Sequence, residues 1–449
     1  MPGAPLTGAG RGEWRTSAGF ILAAAGSAIG LGNIWRFPFL AGQNGGSAFL
    51  IVYTAIVFTI GISLMLAELA IGRAAERNPV GAFARLKGGA WPVVGFLGVL
   101  AGFVILSYYS VVGGWTIAYA VRAAGGALAT TDPVALGGIF THLIGDPVEP
   151  LAWHLVFMAL TVGIVTGGVN AGIERWNRIL LPALFLILIV LVVRAVTLDG
   201  AGRGLAFYLK PDFDRIGIGT VRDALAQAFF SLSLGMGTMI TYGSYLARRE
   251  NLLRAAGSVT GLDFLVAFCG GLIVLPAVFA FGYDPGAGPG LTFITLPAVF
   301  AHMPAGELFA VLFFALLGIA ALTSAISMLE VVVAYFVDEW RVARRTAAIA
   351  CGGVIFALGI PASLSFGALA GVTIGGKTIF DAMDYLASNL LLPLVSIGVA
   401  LFVGWVMGDR AVEELTNRGA IGFRAARAWR LVCRFVGPAA IAWVMVSGL

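Results

Sequence analysis

The stretch Phe20–Phe39, FILAAAGSAIGLGNIWRFPF, constrains this chain more than any other. It is apolar enough to enter a bilayer, but its centre resists a continuous helix. Gly26, Gly30 and Gly32 fall within seven residues, with Ser27 and Asn33 among them, and Arg36 and Pro38 follow. A glycine costs about 1 kcal/mol per interior helix position relative to alanine. A charge at the centre of a membrane helix costs about 2.5–3.5 kcal/mol on insertion scales. Lipid tolerates such features only where the freed backbone and the charge are buried in protein or line a cavity. The stretch therefore predicts a broken membrane helix whose released backbone groups bind something.

The rest of the chain supplies the membrane context. Of its 449 residues, 59% are hydrophobic and only 11% charged, against about 25% charged in soluble domains. Mean hydropathy is +0.95. Apolar stretches of about 18 residues or more recur along the whole length, so the expected fold is an all-α polytopic membrane protein. Eleven spans are predicted, near 17–40, 45–72, 91–124, 152–170, 177–197, 220–247, 257–283, 306–338, 345–363, 379–407 and 428–447. They form one domain over 1–449. No soluble domain is expected, and the apolar segment Leu291–Met303 is expected to dip as a short hairpin. The basic start, with Arg11 and Arg15, leads into a span too long for a cleavable signal.

Composition also excludes several classes. Cys269, Cys351 and Cys433 lie inside apolar spans, which argues against a disulfide framework. His142, His154 and His302 are scattered, so no metal cluster is visible. The net charge of +5 comes from basic residues between spans, and signals topology rather than nucleic-acid binding. Apart from Arg36, Arg122, Arg194, Arg203, Lys210, Arg215, Arg222 and Lys377, every Lys and Arg falls on the side of the N-terminus. By the positive-inside rule that side is cytoplasmic. An odd span count then puts the C-terminus outside.

One internal repeat appears. Ser231–Thr238, SLSLGMGT, is a second small, Gly-interrupted stretch within the sixth span. Five spans precede it, so the second unit enters the membrane from the opposite side. Glycine also serves close helix packing, and the chain holds 62 of them. Two interrupted spans at matching positions of two halves nevertheless point to a secondary-transporter site.

These motifs resemble the neurotransmitter:sodium symporter family. The match runs through GSAIGLGNIWRFPF, Gln43–Phe49 (QNGGSAF, with Asn44-Gly45-Gly46), Glu68–Arg73 (ELAIGR), Tyr108-Tyr109, Trp115, SLSLGMG, Thr323-Ser324 and Asp384. It covers roughly residues 11–410. The eleven spans and the GMG variant look most like the bacterial branch that takes up hydrophobic amino acids, with the bacterial leucine-transporter fold. The resemblance implies a five-plus-five inverted repeat (17–197 and 220–407) with broken spans 1 and 6, and a peripheral last span at 428–447.

Carried over residue by residue, the resemblance implies two sodium sites. The first would use Ala28, Asn33, Ser231 and Asp263, completed by the substrate carboxylate. Ser231 and Asp263 depart from the family's commoner Thr and Asn or Ser. A fixed carboxylate at Asp263 would replace the chloride that animal members need, so chloride dependence is not expected. The second would use Gly26, Ile29, Ala320, Thr323 and Ser324. Hard oxygen ligands suit a hard cation. The freed amides of Leu31 and Gly32 would face a carboxylate, as helix N-terminal amides do, with the Tyr109 hydroxyl joining them. Carbonyls around Phe230 and Ser233 would receive an ammonium. Gly30 stands where monoamine carriers hold an Asp, which favours an α-amino acid bringing its own carboxylate. Ile105, Phe230, Met236, Ser324 and Met328 would form an apolar side-chain pocket.

The same resemblance implies gates. Arg36 and Asp384 would pair above the site, with Tyr109 and Phe230 as an aromatic lid beneath. Arg11 and Asp338 would pair on the cytoplasmic side, packed by Trp14 and Tyr245. Gly172 and Pro182 resemble the motif by which the fifth span unwinds. Glu68 and Glu330, both intramembrane carboxylates, are expected to brace unwound backbone. The implied function is sodium-coupled symport of aliphatic and aromatic L-amino acids across a bacterial inner membrane. A carrier of another small zwitterion, or a transport-inactive amino-acid sensor, remains open at this point. No enzyme is implied, and neither a nucleic acid nor an obligatory protein partner.

Overall fold

The computed structural model describes residues 13–286 and 290–447. Among them, nine helices are long and apolar enough to cross a membrane: Ser47–Ala75, Pro92–Ala124, Glu149–Thr166, Val169–Val196, Leu252–Ala280, Gly306–Trp340, Arg344–Leu364, Ile379–Met407 and Ala426–Ser447. A tenth span is a bent pair, Ser17–Ala28 with Gly32–Gln43, angled by 51°. The remaining predicted span is divided into Ile218–Ser231 and Thr238–Gly243, each leg too short to cross alone. In chain order the bent pair comes first, and the divided helix lies between Val169–Val196 and Leu252–Ala280, where the apolar pattern predicts the sixth span.

The two breaks have different local causes. Ser17–Ala28 ends where Ile29 turns extended, at φ −72° and ψ 106°. The helix resumes as a π-helical turn over Gly32–Arg36. In the sixth span, Ser233, Gly235 and Gly237 all take positive φ. A Cβ at Gly237 would meet the Pro79 ring at 2.7 Å, so glycine answers both a backbone demand and a packing one.

The third and eighth spans make the most extensive helix pair and form the spine of the molecule. The first and sixth spans sit against them with their broken centres buried. The fifth and eleventh spans lie at the periphery. Ile179, Leu186, Ile189 and Val193 on the fifth, and Leu431, Phe435 and Val446 on the eleventh, expose large apolar side chains, as lipid-facing surfaces do.

Three details depart from expectation. The fifth span starts at Val169 rather than near 177, because Val169–Glu174 continues it as a π-helical turn. Leu291–Ala301 is one short helix rather than a hairpin. Phe293 anchors it among Trp35, Trp115, Tyr119, Phe140 and Phe314. A small antiparallel pair, Thr373–Ile374 with Lys377–Thr378, interrupts the otherwise helical chain.

Candidate functional site

The two breaks lie against each other. Gln227 Nε2 donates to the Gly32 carbonyl at 2.7 Å, and the Ser233 hydroxyl donates to the Ser27 carbonyl at 2.9 Å. Asn33 Nδ2 donates to Ser231 Oγ at 2.9 Å. These bonds join residues about two hundred positions apart through backbone that neither helix satisfies internally.

Asn33, Ser231 and Asp263 converge with no exposed surface to speak of. Asp263 Oδ1 accepts from Asn33 Nδ2 at 2.7 Å and from Ser231 Oγ at 2.8 Å. Asn33 Oδ1 accepts from the Gly30 amide at 2.9 Å. Asp263 Oδ2 is buried outside normal hydrogen-bond distance of any partner, with the equally buried Tyr53 hydroxyl beside the same carboxyl. A buried carboxylate oxygen left unpaired is costly, and a cation would remove that cost. Ala28 borders the adjoining cavity.

The second predicted set also comes together. Ser324 Oγ lies 3.1 Å from the Ile29 carbonyl, 3.0 Å from that of Ser27 and 3.5 Å from that of Gly26. Thr323 Oγ1 lies 3.5 Å from the Ile29 carbonyl and 3.0 Å from that of Ala320. All five predicted residues therefore contribute oxygen to one buried group. Among the described residues no group of three or more His, Cys, Asp or Glu converges, so both sets rest on carbonyls, hydroxyls and a single carboxylate.

Between the two sets lies a cavity of ≈ 20 Å³. Gly30, Gly32, Ile105, Tyr109, Phe230, Ser231, Ser233, Met236, Ser324 and Met328 all line it, joined by Ser27. That volume suits little more than a water molecule. A Cβ at Gly30 would sit 2.6 Å from Ser324 Oγ and 2.9 Å from Tyr109 Oη. Leu31 lies just above, its amide donating to Tyr109 Oη at 3.2 Å.

Beyond Phe230 opens a second cavity of ≈ 280 Å³, bordered by Leu31, Trp35, Arg36, Tyr108, Phe380 and Asp384 among others. The predicted pair of Arg36 with Asp384 is not formed here. The Arg36 guanidinium lies over the Phe230 ring, 5.1 Å from its centroid. Asp384 Oδ1 accepts instead from the Tyr108 hydroxyl at 2.9 Å and from Ser388 at 3.0 Å. Each charge has found a nearer partner across the cavity.

At the opposite end, Arg11, the predicted partner of Asp338, lies outside the described residues. Asp338 accepts from the Asn78 amide at 2.9 Å and its side chain at 3.2 Å. Trp14 packs edge-on against Tyr242 and Tyr245, and its Nε1 donates to the Tyr242 carbonyl at 3.0 Å. Gly172 sits in the π-helical turn Val169–Glu174, and Pro182 lies inside the regular helix Arg175–Val196.

The two intramembrane glutamates differ. Glu68 Oε1 accepts from the Gly235 amide at 2.8 Å, bracing the sixth-span break. Glu330 does not brace unwound backbone. Its carboxylate is paired with Arg344 and accepts from the Tyr245 hydroxyl at 2.8 Å, because span 9 brings a guanidinium to it. Sequence reasoning also passed over Gln227, Tyr242 and Asn177. The signal for Gln227 and Asn177 was present: an amide side chain inside an apolar span.

The model for the sodium:neurotransmitter symporter family matches residues 11–132 and 142–449. An uncharacterised sodium-dependent transporter of Bacillus subtilis, YhdH, is 41% identical over 437 residues, 97% of each chain. One from Haemophilus influenzae is 38% identical over 451 residues, 98% of each chain. Among solved structures, that of MhsT in complex with L-phenylalanine superposes with a TM-score of 0.90 at 46% identity, covering 98% of this chain and all of the other.

Proposed function

This chain belongs to the sodium:neurotransmitter symporter family, and from that premise we propose that it carries aliphatic and aromatic L-amino acids into a bacterial cell. It is a multi-pass membrane protein and a sodium-dependent transporter. The observation that carries the substrate class is the cavity between the broken spans. It joins freed backbone at Gly30–Gly32 to the apolar walls of Ile105, Phe230, Met236 and Met328. With glycine at position 30, the substrate supplies the carboxylate. The likeness to a relative solved with L-phenylalanine supports the same reading.

Sodium binds at two sites in this reading. At the first, Ala28, Asn33, Ser231 and Asp263 offer oxygen, and the amide of Asn33 turns so that Oδ1 faces the ion. At the second, the carbonyls of Gly26, Ile29 and Ala320 act with the hydroxyls of Thr323 and Ser324. The substrate carboxylate meets the first ion, the Leu31 and Gly32 amides and the Tyr109 hydroxyl. Its ammonium meets carbonyls near Phe230 and Ser233. Asp263 supplies the negative charge, so chloride is not required.

Alternating access follows from the two halves, 17–197 and 220–407, moving about the site while the last span stays peripheral. The N-terminal face is cytoplasmic and the C-terminus outside. Arg36 leaves Phe230 for Asp384 when the upper gate closes. Loss of the second sodium inward frees the Trp14 side. Sodium-gradient uptake of an amino-acid panel by proteoliposomes, with and without chloride, tests this. Phenylalanine and leucine should accumulate only with sodium, equally in both anion conditions. Sodium-independent behaviour for every amino acid would sink the reading, and a strict chloride requirement would sink the role of Asp263.

A further inference from the structure

The fifth span carries a polar atom that nothing above uses. Asn177 lies between Gly172 and Pro182 and is fully buried. Its Nδ2 donates to the Ile173 carbonyl at 2.9 Å. That bond fixes the orientation of the amide, because only the nitrogen end can donate to a carbonyl. The other end, Oδ1, is buried without a partner. It presses on Gly26, where an added Cβ would overlap it. Gly26 contributes a carbonyl to the second cation set.

Acceptors cannot satisfy one another. Asn177 Oδ1 and the first-span carbonyls can be joined only by a cation or a water molecule. For wall packing alone, an aliphatic residue at 177 would avoid the cost of a buried, unpaired carbonyl, about 1–3 kcal/mol. The surrounding helix is weakened on both sides. The turn before Asn177 is π-helical, and Pro182 removes the amide that would bond the carbonyl four residues earlier.

We infer that Asn177 Oδ1 is a transient sodium ligand, the first fifth-span oxygen met by the second sodium ion as it leaves its carbonyl set. This rests on the symport reading above. It makes Asn177 a release-path residue rather than a member of the resting site. The oxygen would replace part of the ion's lost coordination while water is still absent, and so lower the barrier to release.

The test uses the full chain, with Asn177→Leu, which removes the oxygen, and Asn177→Asp, which keeps it. Sodium-dependent L-phenylalanine binding is measured in detergent, and initial uptake in proteoliposomes. For Asn177→Leu, uptake turnover should fall about tenfold, the kinetic equivalent of about 1.4 kcal/mol. Phenylalanine affinity at saturating sodium should change by no more than about twofold. Asn177→Asp should restore most of the turnover and lower the sodium concentration for half-saturation. Wild-type turnover in Asn177→Leu would overturn the inference. So would a parallel loss of binding, uptake and thermal stability in both variants, which marks a merely structural role. Failure of the unsubstituted protein to bind phenylalanine with sodium would overturn the symport reading and this inference together, and is seen without any variant.

Discussion

Gly30 shows how one missing atom sets a site. Its neighbours Ser324 Oγ and Tyr109 Oη leave no room for a Cβ. Gly30→Ala should weaken phenylalanine binding by about tenfold or more, given about 1–3 kcal/mol for overpacking. Equilibrium binding checks this, with thermal stability as the control. In the proposed cycle Asp263 works through charge. Asp263→Asn keeps the shape and the contacts to Asn33 and Ser231. It removes the negative charge that faces the cation set. The sodium concentration for half-maximal uptake should rise about tenfold, in line with charge-assisted bonds of about 1.5–3 kcal/mol. An unchanged sodium curve would separate Asp263 from cation binding. Gly30 was legible in the sequence as a helix breaker, whereas Asp263 came from the family resemblance.

At the scale of elements, the sixth-span break needs outside support. Its amides cannot be satisfied within a helix, and Glu68 on the second span takes one of them, from Gly235. Glu68→Ala should leave that amide buried and unpaired, costing about 1–3 kcal/mol. A lower apparent melting temperature and weaker substrate binding are the expected outcome, with Glu68→Gln recovering most of both. The fourth span shows a simpler device. The amides of Glu149 and Val148 both donate to Asp146 Oδ1 at 2.7 Å, and they hold its carboxyl below the usual carboxylate range. The folded pKa is therefore the lower one. The stabilisation is complete above the ordinary carboxylate value and is lost as pH falls through the lowered one. Asp146→Ala should melt earlier than the parent at pH 7, and the difference should close in acid. The helix starts were legible in both cases. The bracing role of Glu68 was expected too, but not which amide it meets, because Glu68 and Gly235 are 167 residues apart.

Across the whole molecule, polar bonds tie together elements that must move in the proposed cycle. Glu330 on the eighth span holds Arg344 on the ninth and Tyr245 beyond the sixth. Arg344 also donates to the Val165 carbonyl of the fourth span. Glu330 is fully buried. Arg344→Met should therefore destabilise strongly, by up to about 3–5 kcal/mol, the cost of stripping one partner from a buried pair. Adding Glu330→Gln should recover a measurable part of that loss, and thermal unfolding of the two variants checks it. A double variant no better than the single one would show that the pair is not the unit. A cavity of ≈ 280 Å³ lies above Phe230, and Trp14 packs edge-on against Tyr242 and Tyr245 below.

By itself the sequence determined the order of the apolar spans, the two breaks, and the oxygen-rich residues at them. Those features are local. Apolar length, glycine spacing and a costly charge act within one helix, so they can be read in one window. Only the tertiary structure decided the partners. It set Arg36 over Phe230 rather than on Asp384, gave Glu330 to Arg344, and brought the unpartnered oxygen of Asn177 against Gly26. Each of these depends on how helices far apart in the chain come to rest against one another. A buried polar atom takes whichever partner that packing delivers. The break at Phe20–Phe39 was thus foreseeable from its own residues, while what its freed groups face was settled by the spans folded around it.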